Sequence, residues 1–191
     1  RAIAAAVRTL AAEAPPAAAA GVAPAANAGV VALDIGTGTG LLALMCARLP
    51  GVRQVHACEM NDVLASVARE VVASQRAKTP SGRPLSSAVS VHAKISTELR
   101  LPQKADLVFC EIFDAGLLGE HVLPTLFHAS QALLREGGKV VPARARIYGR
   151  LVESPAALER FAVLRPPGGL ALDALRVRNR EQYTCETVSA L

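Results

Sequence analysis

The chain has 191 residues, 51% hydrophobic, 19% charged and 3% aromatic, with a formal net charge of +5. That length suits one domain, or one domain with a piece of another, and that apolar share excludes wholesale disorder. No apolar run approaches the ~20 residues needed to cross a bilayer, and no signal peptide stands at the start.

The surplus of bases is uneven. Glu98 to Glu120 carries five acids against two bases, whereas Arg135 to Arg180 carries ten bases against four acids. The bases are dispersed singly, without interleaved aromatics, so neither direct nucleic-acid binding nor membrane binding is expected. The four cysteines, Cys46, Cys58, Cys110 and Cys185, form no Cys-x-x-Cys. The first three sit in apolar surroundings and read as buried thiols, with no metal site. A reducing compartment follows, cytoplasmic and/or nuclear.

In chain order, residues 1–14 are Ala-rich and predict a helix. An Ala/Pro-rich linker is expected over residues 11–29. "VVALDIG" reads as a fully buried strand and "TGLLALMCARLP" as a helix closed by Pro50. "QVHACEM" is a second strand. "DVLASVAREVVASQRA" predicts a helix with Asp62 as N-cap and Val63, Val67, Val71 and Val72 on its apolar face. "KTPSGRPLSS" reads as a loop, and "AVSVHAK" and "ADLVFCEIF" as strands. Residues 120–138 predict one helix, with Val122, Leu123, Leu126, Phe127, Leu133 and Leu134 inward and Gly137-Gly138 as its stop. "KVVPARARIYGRLVES" is extended. Alternating strands and helices predict an α/β, doubly wound Rossmann-like domain over 1–143. The alternation breaks after Pro142, so 144–191 is expected to begin a β-barrel domain that is incomplete in this chain.

The chemistry concentrates in two stretches. In "ALDIGTGTGLLAL", Gly36, Gly38 and Gly40 follow Asp34 at the end of the first strand. Glycines there let a backbone turn approach a ligand and adopt positive φ. The G-x-G-x-G spacing departs from the dinucleotide fingerprint, and a bare strand-to-helix turn is an open alternative. Glu59 lies nineteen residues beyond Gly40 at the second strand's end, where an acid can accept both ribose hydroxyls or be an ordinary strand-end carboxylate. Asp34 favours a cationic amino-acid ligand such as S-adenosylmethionine over a pyrophosphate, which it would repel. The second stretch, "EIFDAGLLGE", keeps Glu111, Asp114 and Glu120 in apolar company.

These two stretches, with "HAKISTE", "LLGEHVLPTLFHA" and "VPARARIYGRLVES", resemble the protein arginine methyltransferases, class I S-adenosylmethionine-dependent enzymes, and within them the type-7 branch. The likeness runs from about Arg1 to Ser154. It implies that Asp34, Gly36, Thr37, Gly38 and Gly40 surround the methionine part of the cofactor. Glu59 would hold the ribose, with Met60, Ile95 and Ser96 completing the cofactor site. Glu111 and Glu120 would be the catalytic pair gripping the substrate arginine, with Asp114 beside them. The implied acceptors are Arg/Gly-rich or basic proteins, histones among them. The implied product is monomethylarginine, and the implied assembly a homodimer or a pseudo-dimer with a second methyltransferase module.

The paired acids make physical sense. A guanidinium is planar, permanently charged and presents five N–H donors, so two carboxylates can hold it through charge-assisted bonds and fix its orientation. They offset the repulsion between guanidinium and sulfonium and leave the reacting nitrogen more nucleophilic. The plainer readings stay open: Glu111 as a solvated strand end, Glu120 as a favourable charge at a helix start, Asp114 as a loop or capping acid, His121 and His128 as structural.

The chain departs from the family in having no Trp, where the family's barrel brings a Thr-His-Trp loop to the site. Gly116 stands where the family has an acid, and the preceding cofactor-covering helices are not found. The expectation is therefore a cofactor-binding half with the first stretch of barrel, a poor catalyst by itself. Two rival readings are a non-catalytic homologue acting as an arginine-rich-partner binding or regulatory subunit, and a small-molecule methyltransferase or dinucleotide oxidoreductase. The second Glu, Glu120, argues against the last.

Overall fold

The computed structural model describes residues 1–13, 29–114 and 116–149, with Glu153 and Pro155. Helix α1 (Ala2–Glu13) leads to β1 (Val30–Ile35), α2 (Leu41–Ala47), β2 (Val52–Glu59), α3 (Asp62–Ala73), α4 (Leu85–Ala88), β3 (Val89–Ala93), β4 (Ala105–Cys110), α5 (Val122–His128) and β5 (Leu134–Val141). The strands form one sheet in the order β3-β2-β1-β4-β5, with every adjacent pair parallel. The predicted doubly wound α/β architecture is thus present. The chain winds outward from β1 through β2 to β3, then crosses back to β4 on the other side. That reversal opens a crevice between β1 and β4 at the strands' carboxyl ends, where ligands bind in such sheets.

The sheet is held as its composition requires. All six residues of β1 are buried, Asp34 included, so a near-continuous apolar strand sits at the centre. One core cluster joins Val7 and Leu10 of α1, Leu44 and Cys46 of α2, and Leu107 and Phe109 of β4. On β2 and β3, His56 Nδ1 and His92 Nε2 lie 3.2 Å apart, and burial holds both imidazoles below their usual range. Among the described residues, no helix is long and apolar enough to cross a membrane, and no cluster of potential metal ligands occurs.

Several local expectations are corrected. Residues 11–13 belong to α1, so the helix reaches into the expected linker; residues 14–28 lie outside the described part. The loop after α3 contains an isolated Lys78–Pro84 bridge and the short α4. The N-cap of α3 is Asn61, not Asp62: Asn61 Oδ1 accepts from Val63 N at 3.0 Å and Leu64 N at 3.1 Å. The buried face of that helix is Ala65, Ala68 and Val72, while Val63 is 72% exposed. That face lies against the glycine turn: a Cβ on Gly40 would stand 3.7 Å from both Ala68 Cβ and Val72 Cγ2.

The largest correction concerns residues 120–138. Helix α5 ends at His128, a π-turn spans Ala129–Leu133, and Leu134 already belongs to β5. Leu123 and Phe127 are exposed, while Val122, Ala129 and Leu133 are buried. Gly137-Gly138 is not a helix stop. Ala105 pairs with Leu134 but Leu107 with Lys139, so the intervening residues of β5 bulge out. Gly137 takes φ 72°, and a Cβ on Gly138 would come 2.5 Å from Leu134 Cδ1. A bulge and a helix C-cap both ask for glycine at positive φ, so the two carry the same sequence signature. Asp106 steadies this region, accepting from Val31 N at 2.7 Å and pairing with Arg135 Nε.

The chain divides into two compact units. The first is Arg1–Ile112 with Glu120–Ala145, and the second contains Phe113–Gly119 and the chain from Arg146 on. Residues 143–149 carry no regular secondary structure, and the rest of the expected barrel segment lies almost wholly outside the described residues.

The capping assignment is testable by urea unfolding. Asn61→Ala should cost about 1 kcal/mol by orphaning two helix N–H groups. Asp62→Ala should cost less, through the helix dipole alone. A larger loss for Asp62→Ala would contradict the assignment.

Candidate active site

The register of the sheet brings the singled-out residues to one row. Ile35 is opposite Cys58 on β2 and opposite Cys110 on β4. The next residues are Gly36, Glu59 and Glu111, so a glycine stands between two acids at the sheet's carboxyl edge. Strand spacing puts the two flanking backbones ~10 Å apart.

The turn after β1 is fastened to the end of β2. Cys58 O accepts from Gly36 N at 3.0 Å and from Thr37 N at 3.1 Å. Glu59 Oε2 accepts from Gly38 N at 3.0 Å, and its Oε1 from Asn61 N at 3.0 Å. Glu59 is buried, and each oxygen retains a second lone pair. Gly36, Gly38 and Gly40 have φ of 75°, 55° and 84°, in the left-handed region. Their surroundings differ. A Cβ on Gly36 would meet Ile112 Cγ2 at 2.5 Å, whereas a Cβ on Gly38 would meet nothing within 4 Å.

Asp34 lies beneath the turn with no exposure. Its Oδ2 accepts from Thr37 Oγ1 at 2.7 Å, and its Oδ1 is buried without a partner among the described residues. Burial disfavours the carboxylate and pushes its pKa up to about 7, against the lowering effects of the Thr37 bond and of the nearby Ala43 backbone N–H, which falls short of a hydrogen bond to Oδ1. The thiols around it respond likewise: burial pushes Cys46 and Cys58 up to about 12 and Cys110 up to about 11. These three cysteines are free and buried, as expected; Cys185 lies outside the described residues.

The remaining residues are placed as follows. Met60 and Ile95 are exposed, while Ser96 is buried at the start of a 3-10 turn, Ser96–Glu98, that lies beside α5. Glu111 and Glu120 are both exposed, and neither carboxylate makes an ion pair among the described residues. Glu120 precedes His121, the α5 N-cap, which takes φ 57° and gives no side-chain cap. Asp114 is engaged in its own loop: its Oδ1 accepts from Gly119 N at 3.1 Å, and a Cβ on Gly119 would overlap its carboxylate. Ile112 escaped the sequence reading. No local pattern marks a residue whose partner is 76 positions away.

The family model for a methyltransferase domain matches residues 32–138, more than half the chain. The chain belongs to the methyltransferase-domain family. An arginine N(omega)-methyltransferase of Streptomyces achromogenes subsp. streptozoticus is 41% identical over 136 residues, covering 69% of this chain and 35% of that protein. Protein arginine N-methyltransferase 7 of Aedes aegypti is 37% identical over 132 residues, covering 66% of this chain and 18% of that protein. The crystal structure of Arabidopsis thaliana protein arginine methyltransferase 10 aligns with a TM-score of 0.52 and 29% identity, over 60% of this chain and 30% of that one. This methyltransferase domain thus spans about a third or less of the length of these relatives.

Two alanine substitutions in the turn separate backbone strain from overlap. Gly36→Ala and Gly38→Ala each place an L-residue at positive φ, a cost of about 1–2 kcal/mol. Only Gly36→Ala adds a clash, worth a further ~1–3 kcal/mol. Urea unfolding should therefore rank Gly36→Ala as clearly less stable; equal losses would contradict the packing described.

Proposed function

We propose that this methyltransferase domain is the cofactor-binding part of an S-adenosylmethionine-dependent protein arginine N-methyltransferase. The observation that carries the reading is the placement of Glu59, Gly36 and Glu111 at the carboxyl ends of β2, β1 and β4, at the sheet's switch point. The residues present fit the cofactor. Asp34 Oδ1 is a buried acceptor awaiting a donor, and Gly38 faces open space where a ligand can press on the backbone. When bound, the cofactor supplies a methyl group on a cationic sulfur.

Asp34 would offset the positive charge of the cofactor's amino-acid end, with Gly36, Thr37, Gly38 and Gly40 wrapping it. Glu59 would use its remaining lone pairs for the ribose hydroxyls while still holding Gly38 N and Asn61 N. Met60, Ile95 and Ser96 would flank the base. Glu111 and Glu120 would each accept guanidinium N–H bonds, orient one terminal nitrogen toward the methyl group, and keep charge away from that nitrogen. One of them would accept the proton released on transfer. Monomethylarginine is the proposed product, as the likeness of the "EIFDAGLLGE" stretch to the type-7 branch implies. Arginine in basic or Arg/Gly-rich proteins, histones included, is the proposed acceptor, and a homodimer or a pairing with a second methyltransferase module the proposed assembly.

A second reading takes free arginine as acceptor. It is supported by the relative at 41% identity, which is named for arginine without reference to protein. Supplying free arginine and an arginine-containing peptide in parallel methyl-transfer assays separates the two.

In the protein that carries this chain, Glu111→Gln and Glu120→Gln should each lower arginine methylation at least ~100-fold, because an uncharged partner cannot hold the cation. Cofactor affinity, read by calorimetry, should change less than about threefold. Wild-type turnover by both variants would reduce the pair to a strand end and a helix start.

Cofactor affinity should depend on pH through Asp34. Its carboxyl is raised to about 7, so it is mostly neutral below that pH. A cationic ligand favours the ionised form, so binding releases a proton and tightens as pH rises through 7. The expected gain is up to about tenfold between pH 6 and 7.5. Asp34→Asn should bind weakly and lose this dependence; a flat wild-type profile would contradict the role given to Asp34.

A further inference from the structure

We infer that Ile112 is a positioning residue that couples the cofactor turn to Glu111, an inference that rests on the methyltransferase reading above. The last ladder pair of β4 with β1 is Cys110 with Ile35, so Glu111 stands beyond the hydrogen-bonded sheet. Its exposed carboxylate makes no ion pair among the described residues. It is flanked by two anchored residues, Cys110 in the ladder before it and Ile112 after it. Ile112 is half-buried, and its Cγ2 fills the space left by the missing side chain of Gly36.

Three features make this contact a coupling device. Gly36 is itself fixed, its N–H donating to Cys58 O at 3.0 Å and its φ at 75°. Ile112 is β-branched, so its χ1 is stiff and its Cγ2 position follows the backbone. Finally, Gly36 and Glu111 each follow directly on the last ladder pair, Ile35 with Cys110. A displacement of the turn on ligand binding therefore reaches Glu111 through one side chain. The absent Cβ at Gly36 serves two ends: it permits the turn's backbone conformation and provides the seat for Ile112.

Reciprocal binding is the test. The protein that carries this chain is titrated with an arginine-containing Gly-Arg-Gly repeat peptide, with and without saturating S-adenosylhomocysteine. The wild type should bind the peptide about fivefold or more tightly in the presence of the cofactor product. Ile112→Ala should bring that ratio near one while changing affinity for S-adenosylhomocysteine less than threefold, which also shows that the variant is folded. Ile112→Val keeps the branched γ carbon and should restore most of the coupling. Gly36→Ala should lose coupling because its new Cβ displaces Ile112, and Gly36→Ala with Ile112→Ala should be no worse than Gly36→Ala alone. Wild-type coupling in Ile112→Ala, or absence of coupling in a wild type that binds both ligands, would overturn the inference and leave the proposed function standing. Failure of the wild type to bind S-adenosylhomocysteine would instead defeat the proposed function, and this inference with it.

Discussion

The carboxyl end of β2 holds the turn on which the rest of the site depends. One carbonyl, Cys58 O, accepts two successive N–H groups, Gly36 and Thr37, and one carboxylate, Glu59, accepts the third, Gly38. The three donors are unpaired by any helix or ladder, and left bare they would cost roughly 1–3 kcal/mol each where they are buried. Tying them to β2 lets the chain leave β1, reverse and enter α2 within a few residues. The same ties set the height of the turn against the row of acids. The proposed ligand role of Glu59 is compatible with this task because a carboxylate oxygen accepts more than one hydrogen bond.

The charge pattern follows from depth. Asp34 is fully buried under the turn, with one oxygen satisfied by Thr37 and the other without a partner among the described residues. Such a group is expensive in an apparently finished fold, and the cost makes sense where a cation completes it. Glu111 and Glu120 stand at the surface, where solvent stabilises both carboxylates. The domain thus keeps two acids dry at the cofactor turn, Asp34 and Glu59, and two wet at the proposed acceptor side. The buried thiols Cys46, Cys58 and Cys110 line the dry region, and their raised pKa values make them inert packing groups.

Helix α3 and strand β5 show how tertiary context overrides local pattern. The valines of α3 have the spacing of an apolar face, yet Val63 and Val67 are exposed while Ala65, Ala68 and Val72 are buried, the last two against Gly40. In β5 the glycine pair serves a bulge that lets the strand regain register with β4 after Asp106 has engaged Arg135. Both errors arise because hydrophobic period and glycine placement report a local conformation, while the neighbour that selects it lies far along the chain.

By itself the sequence determined the alternation of strands and helices, the buried central strand, the glycine turn after Asp34 and the acids at the ends of β2 and β4. These are properties of single segments: apolar runs, conformational preference and charge at a boundary. Tertiary structure decided the order β3-β2-β1-β4-β5, the common row of Gly36, Glu59 and Glu111, the unpartnered oxygen of Asp34 and the seating of Ile112 on Gly36. Register and burial are relations between segments, set by which backbone donors meet which acceptors across the sheet. No window along the chain contains both members of such a pair.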